Sequence, residues 1–323
     1  MSKPKVVVTR KWPDEVERRL QELFDVSLNE DDHKMSVAEL HAALQSADAL
    51  CPTVSDAINA EVLNVESKQV KILGSYGVGF NHIDLDAARA NELVVTNTPD
   101  VLTDCTADLA MTLLLMVARR AGEGERHVRH KEWSGWRPTH MIGSRVTGKT
   151  RGLVGMGRIA RAMAHKAHHG FGMKIIFTDP YPPPEELVNS LQAESRASMD
   201  EVLAEADFVS LHCPGGKETY HLIDETQLAK MKPSAFLINS ARGDVVDPEA
   251  LIKALENGTI AGAGLDVFEG EPQVQQGFLE LENAVLLPHL GSATMETRVA
   301  MGMRVIDNLV AYFAGEEPGD RVV

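Results

Sequence analysis

Leu153-Val-Gly-Met-Gly-Arg-Ile-Ala160 places two glycines directly after an apolar strand and before a helix. Gly155 permits a tight turn, and Gly157 lets a pyrophosphate approach backbone N–H groups at the helix N-terminus. Ala160 stands where helix and strand must pack closely. Alone, Gly-x-Gly-x-x-Ala also fits an ordinary strand–turn–helix. The following strand, Ile175-Ile-Phe-Thr178, ends at Asp179, nineteen residues beyond Ala160. A carboxylate there is placed to accept hydrogen bonds from a ribose hydroxyl. Pro180 and Tyr181 follow, with no nearby basic residue to balance a 2′-phosphate, so NAD(H) is expected in preference to NADP(H).

Outward from this unit, short apolar runs alternate with amphipathic stretches on both sides. Downstream, strands are expected at 208–211, 235–239, 261–267 and 285–287, with helices at 159–169, 199–206, 225–231, 248–257 and 295–313. Gly315 supplies the last stop signal. Upstream, strands at 5–9, 25–28, 47–51, 70–73 and 93–96 alternate with helices at 13–24, 37–46, 58–65 and 85–91. Two such series imply two doubly wound parallel-sheet α/β domains with an active-site cleft between them. Between the series, 103–120 reads as one long helix with Thr103 or Asp104 as its cap. Residues 121–150 are rich in Arg, His, Gly and Trp with weak periodicity, and read as an arm lying over another surface.

The chain has 323 residues and a formal charge of −15, which suits two domains and opposes binding to nucleic acid or anionic membrane. Three scattered cysteines make neither a disulfide framework nor a zinc site, and no metal is expected. The i,i+4 pair His165 and His169 lacks an intervening glutamate and reads as a solvated face. No secretory signal or membrane span is expected, and the composition suggests a cytoplasmic protein.

Three further segments set ionisable groups beside strand ends: Asn239-Ser-Ala-Arg-Gly243, Gly264-Leu-Asp-Val-Phe-Glu-Gly-Glu-Pro272 and Leu287-Pro-His-Leu-Gly-Ser-Ala-Thr294. Strand C-termini are where open α/β sheets bind ligands, so Arg242, Asp266, Glu271 and His289 are candidates for one site. An arginine fork clamps a carboxylate, and a histidine beside a carboxylate moves a proton near neutral pH. With a nicotinamide cofactor, that combination points to hydride transfer at a carbon bearing oxygen, beside a carboxylate.

These segments, with Gly74-Ser-Tyr-Gly-Val-Gly79 and Gly155-Met-Gly-Arg-Ile159, resemble the D-isomer-specific 2-hydroxyacid dehydrogenases from about Gly74 to Arg298. The likeness is greatest to glyoxylate/hydroxypyruvate reductases, through 287–294 and Trp133-Ser-Gly-Trp136. The resemblance implies a Rossmann nucleotide-binding domain at 99–291 and a flavodoxin-like substrate domain at 1–98 with 292–323. It implies that Arg242 binds the substrate carboxylate and carbonyl, His289 exchanges the proton and Glu271 partners it. Backbone N–H groups at Val78 and Gly79 are implied to hold the substrate carboxylate. Cofactor contacts are implied at Thr106, Gly155, Met156, Gly157, Arg158, Ile159, Asp179, Pro214, Thr219, Ser240, Ala241, Asp266 and Gly291. The resemblance further implies a homodimer built through 121–150, whose Trp133 and Trp136 anchor the interface or reach the partner's active site. The substrate implied is a small anionic 2-oxo acid such as glyoxylate or hydroxypyruvate. D-3-phosphoglycerate oxidation, or a dinucleotide-sensing scaffold of the carboxy-terminal-binding-protein type, is the alternative. Arg151 departs from the family pattern, which has an apolar residue there.

Overall fold

The computed structural model describes residues 3–323. The chain divides into two compact units, one running to Leu102 and resuming over Ser292–Val323, the other Thr103–Gly291.

The first unit opens with β1 (Lys5–Val8), α1 (Asp14–Leu23), β2 (Asp25–Ser27), α2 (Val37–Ser46) and β3 (Ala49–Cys51). It continues with α3 (Ala60–Leu63), β4 (Ile72–Gly74), α4 (Leu85–Ala90) and β5 (Val94–Thr96). All five strands are parallel in the order β2-β1-β3-β4-β5, the flavodoxin-like arrangement. β3 and β4 are buried throughout, as strands covered on both faces must be. α2 begins on a capping box: the Ser36 hydroxyl accepts from Glu39 N–H while the Glu39 carboxylate accepts from Ser36 N–H.

The second unit comprises α5 (Thr103–Ala118), α6 (Ala121–Arg129), β6 (Thr150–Val154), α7 (Arg158–Phe171), β7 (Lys174–Thr178), α8 (Glu185–Ser190) and β8 (Ala193–Ser195). Then come α9 (Met199–Glu205), β9 (Phe208–Leu211), α10 (Glu225–Leu228), β10 (Phe236–Asn239), α11 (Pro248–Glu256), β11 (Gly262–Leu265), α12 (Gln276–Leu279) and β12 (Ala284–Leu286). Its seven parallel strands lie in the order β12-β11-β10-β9-β6-β7-β8. The chain starts in the middle at β6, winds outward through β7 and β8, then returns to build the other half from β9. The strand order therefore reverses between β6 and β9, where doubly wound sheets bind ligands. Leu153, Ile175, Phe177, Phe208 and Ile238 pack against α5 and α7 on one face. Val209, Leu211, Leu237 and Leu265 pack on the other. The last helix, α13 (Met295–Phe313), returns to the first unit and stops before Gly315, whose φ is +80°.

Four sequence expectations need correction. Thr103 and Asp104 lie within the first turn of α5 and do not cap it. That helix ends at Ala118, and Arg120 takes left-handed φ and ψ that redirect the backbone. The arm then starts as a helix, α6, because Arg120–Glu123 and Arg129–Glu125 pairs support its turns without any buried face. Helix α8, strand β8 and helix α12 had no periodic apolar signal and arise from their place in the second unit.

Arg151 sits on β6 opposite Ile175 and Phe208, entirely buried. Among the described residues no acceptor lies within hydrogen-bond reach of its Nε, Nη1 or Nη2. Burial pushes the guanidinium down to about 9, so it remains charged at neutral pH.

Candidate active site

Because every strand of the second unit runs the same way, the segments singled out in the sequence share one edge of its sheet. The loops after β12, β11, β10, β9, β6 and β7 carry His289, Asp266 to Glu271, Ser240 to Arg242, Pro214 to Thr219, Gly155 to Ile159 and Asp179 respectively.

At the glycine turn, Gly155 has φ +93°, and a Cβ there would meet the His212 carbonyl oxygen at 2.9 Å. Both conformation and space therefore require glycine. A Cβ at Gly157, the N-cap of α7, would meet nothing within 4 Å, so the helix N-terminus is open to an incoming phosphate. Met156 and Ala160 are buried, whereas Arg158 is exposed. Asp179 reaches back across this turn: its Oδ2 accepts from Met156 N–H at 2.6 Å and its Oδ1 from Tyr181 N–H at 2.7 Å. The carboxylate is thus aimed by the backbone of the turn itself. An open phosphate cradle beside a fixed acceptor fits a dinucleotide.

The acid–base pair forms across two loops. His289 Nδ1 donates to Glu271 Oε2 at 2.8 Å, with each side chain about one-third exposed (34%). Glu271 Oε1 also accepts from Phe268 N–H at 2.9 Å. Burial raises the Glu271 carboxyl, but the bond to His289, its charge and the Phe268 N–H together hold it below the ordinary value. It is therefore a carboxylate at neutral pH, fixing the ring with Nε2 directed away from it.

His289 itself has φ +57°, a left-handed conformation strained for a non-glycine residue. Asp266 sustains it. The Asp266 carbonyl accepts from His289 N–H, while its carboxylate accepts from Leu290 N–H at 2.7 Å and Gly291 N–H at 2.8 Å. Burial raises Asp266 to about 6, against the lowering effect of those two N–H groups and the His289 charge. Gly291 packs against both Asp266 and the buried Thr106, so these three proposed cofactor contacts are neighbours.

Arg242 lies on the next loop, half-buried, with Nη1 donating to the Ala241 carbonyl at 2.6 Å. Burial lowers its proton affinity, and the Glu271 and Asp244 carboxylates oppose that effect. The sequence pattern did not assign the residue that braces this loop. Asn239, buried at the end of β10, donates to the Arg242 carbonyl and accepts from Ala241 N–H. A lone Asn closing an apolar strand was the available signal. Gly243 lies so close to Phe268 and Glu269 that any Cβ would collide with their backbone, which sets the arginine loop against the glutamate loop. Ser240 Oγ is buried with no protein partner among the described residues. Thr219 Oγ1 donates to the Pro214 carbonyl, closing their loop.

Arg242→Lys is expected to lower kcat/KM at least tenfold, because an ammonium cannot reproduce a planar two-donor clamp and a lost charge-assisted bond is worth about 1.5–3 kcal/mol. Steady-state kinetics with melting as a folding control checks this, and near-wild-type kcat/KM would remove Arg242 from the site.

Val78 and Gly79 belong to the other unit, on the loop after β4. There the Gly77 and Val78 carbonyls accept from Thr98 N–H and the Asn97 side chain, fixing the loop's course. His165, His168 and His169 cluster on α7, with the 165 and 169 rings 4.5 Å apart, and no three-residue metal-ligand group occurs among the described residues. No helix among those residues is long and apolar enough to cross a membrane.

Residues 111–291 match the family described as D-isomer specific 2-hydroxyacid dehydrogenase, NAD binding domain. The glyoxylate reductase of Thermococcus onnurineus is 46% identical over 320 residues, covering 98% of this chain and 95% of its own. The glycerate dehydrogenase of Hyphomicrobium methylovorum is 38% identical over 317 residues, covering 98% of each. Among solved structures, the NADPH-dependent glyoxylate/hydroxypyruvate reductase of Sinorhizobium meliloti, in complex with NADP and malonate, superimposes with a TM-score of 0.88 at 34% identity. That match covers 100% of this chain and 97% of the other. The fold, the glycine turn and the matched sequence together place the chain in the D-isomer-specific 2-hydroxyacid dehydrogenase family.

Proposed function

We propose that this protein is a glyoxylate/hydroxypyruvate reductase that uses NADH in preference to NADPH and works as a cytoplasmic homodimer. The observation that carries the reading is the 2.8 Å His289–Glu271 pair on the same sheet edge as Arg242 and the glycine turn. A nicotinamide cofactor held at this sheet edge would supply the hydride. Arg242 holds the substrate carboxylate, and its fork also polarises the carbonyl. His289 Nε2, protonated, gives its proton to the carbonyl oxygen as negative charge develops there. Glu271 keeps the ring oriented and offsets the imidazolium charge. Gly155 to Ile159 would hold the pyrophosphate and Asp179 the ribose, with Thr106, Pro214, Thr219, Ser240, Ala241, Asp266 and Gly291 as the further residues that would contact the cofactor. The homodimer reading rests on the arm, whose Trp133 and Trp136 side chains are exposed in the single chain.

NADH consumption with a panel of 2-oxo acids tests the assignment, with turnover expected for glyoxylate and hydroxypyruvate. Activity confined to 3-phosphohydroxypyruvate would favour the phosphoglycerate reading, and no turnover with any acid would leave the sensing scaffold. In the same assay kcat/KM is expected to be higher with NADH, because the fixed Asp179 carboxylate repels a 2′-phosphate. The Sinorhizobium meliloti relative is NADPH-dependent, so a basic group elsewhere that overrides Asp179 would appear as a preference for NADPH.

A further inference from the structure

One carboxylate beside the acid–base pair is absent from the mechanism above. Glu269, two residues before Glu271, accepts from Tyr220 Oη on Oε1 at 3.0 Å and from His221 Nε2 on Oε2 at 2.8 Å. The two donors form a unit: their rings stack 3.9 Å apart at 15°. His221 has φ +49°, and its N–H donates to the Asp244 carbonyl at 2.8 Å. This left-handed turn closes the loop that carries Pro214 and Thr219.

On the other side of the contact, the Glu269 carbonyl accepts from the Gln275 side chain. Gly270, with φ +79°, then turns the chain into Glu271. The turn is therefore held at its head by Glu269 and at its tail by the Phe268 N–H bond to Glu271. The charged and titratable groups facing Glu269 are Tyr220 and His221 directly. Asp247 at the start of α11 lies 4.0 Å from His221 Nδ1, and Asp244 acts on Tyr220 from the 3-10 turn Gly243–Val245.

We propose that Glu269 is a positioning residue, clamping the Glu271 turn to the Tyr220–His221 end of the cofactor loop so that Glu271 meets His289. The proposal rests on the acid–base reading above and extends it: cofactor loop and proton-transfer pair are joined through one carboxylate. A positioning role differs from a purely structural one in what it moves. Loosening Glu271 weakens its support of the imidazolium, so the pH at which reduction declines must change together with kcat.

Glu269→Ala is expected to lower kcat for glyoxylate reduction about tenfold, because a small misplacement of a reacting group is costly. KM for glyoxylate should change little, since Arg242 is untouched. The alkaline decline of kcat/KM should shift to lower pH, toward that of Glu271→Gln. Glu269→Gln retains an acceptor and can donate to the alternative His221 tautomer, so it should recover most of kcat. NADH fluorescence titration of Glu269→Ala should give a Kd about threefold higher, a coupling of ordinary size between linked sites.

A fall in kcat with an unmoved pH profile would make Glu269 merely structural and overturn the proposal, as would full activity. If Glu269→Ala does not fold, the double variant Tyr220→Phe, His221→Phe keeps the rings, removes both donors and is judged by the same profile. Failure of the reductase reading is separate: wild type would turn over no 2-oxo acid, and the clamp would stand or fall on the NADH titration alone.

Discussion

His289→Ala is expected to lower the rate of 2-oxo acid reduction about 10²–10⁴-fold, the contribution of a positioned acid–base group. Reduction needs a protonated Nε2 and oxidation of the 2-hydroxy acid an unprotonated one, so the two directions should respond oppositely to pH. Glu271 supplies the charge that faces the ring. Its carboxyl is held below its ordinary value, with the His289 bond outweighing burial, so it carries its charge throughout the neutral range. Glu271→Gln keeps the shape and removes the charge, which makes the imidazolium easier to deprotonate. Its alkaline limb for reduction should therefore move to lower pH, and the rise of oxidation should move with it. The measurement is kcat/KM against pH in both directions for wild type and Glu271→Gln. Superimposable profiles would mean that Glu271 does not act through His289, and the proton pathway would need another partner.

The second large effect concerns stability. Arg151 is a fully buried cation with no hydrogen-bond acceptor for its three nitrogens among the described residues. An uncompensated buried charge costs several kcal/mol. Burial pushes its pKa from 12.5 down to about 9. A base whose folded-state pKa is lowered costs stability at every pH below the folded value, so the full cost is present at pH 7 and begins to be relieved only above about 9. Arg151→Met keeps an unbranched stem of similar length between Ile175 and Phe208 and removes the charge. It is expected to stabilise the chain by about 3 kcal/mol, raising Tm by about 6–12 °C for a unit of this size. Chemical denaturation with thermal melting checks it. A lower Tm would show that the guanidinium contributes through a group such as His212, whose charged form it disfavours.

Much of this protein is legible without coordinates. The turn at Gly155, the position of Asp179 and the spans of α2 and α13 follow from local rules. These include a glycine turn between an apolar strand and a helix, and Gly315 closing an apolar-periodic run. Such features were readable because the residues that cause them are neighbours along the chain. Parallel strands could likewise be recognised as apolar runs, since both of their faces are covered. Strand β8, with the residues Ala-Glu-Ser and two exposed positions, exists only because β7 offers it an edge.

The resemblance pairs Glu271 with His289, but the tertiary structure alone brings Glu269 to His221 and puts these groups within hydrogen-bond distance. Glu271 and His289 are eighteen residues apart, and Glu269 lies forty-eight from His221; no spacing rule pairs them. Parallel register brings those loops to one edge, and Gly243 lets two of them touch. The same register turns Arg151 inward without a partner, because a strand residue faces wherever its pleat directs it, whatever its charge.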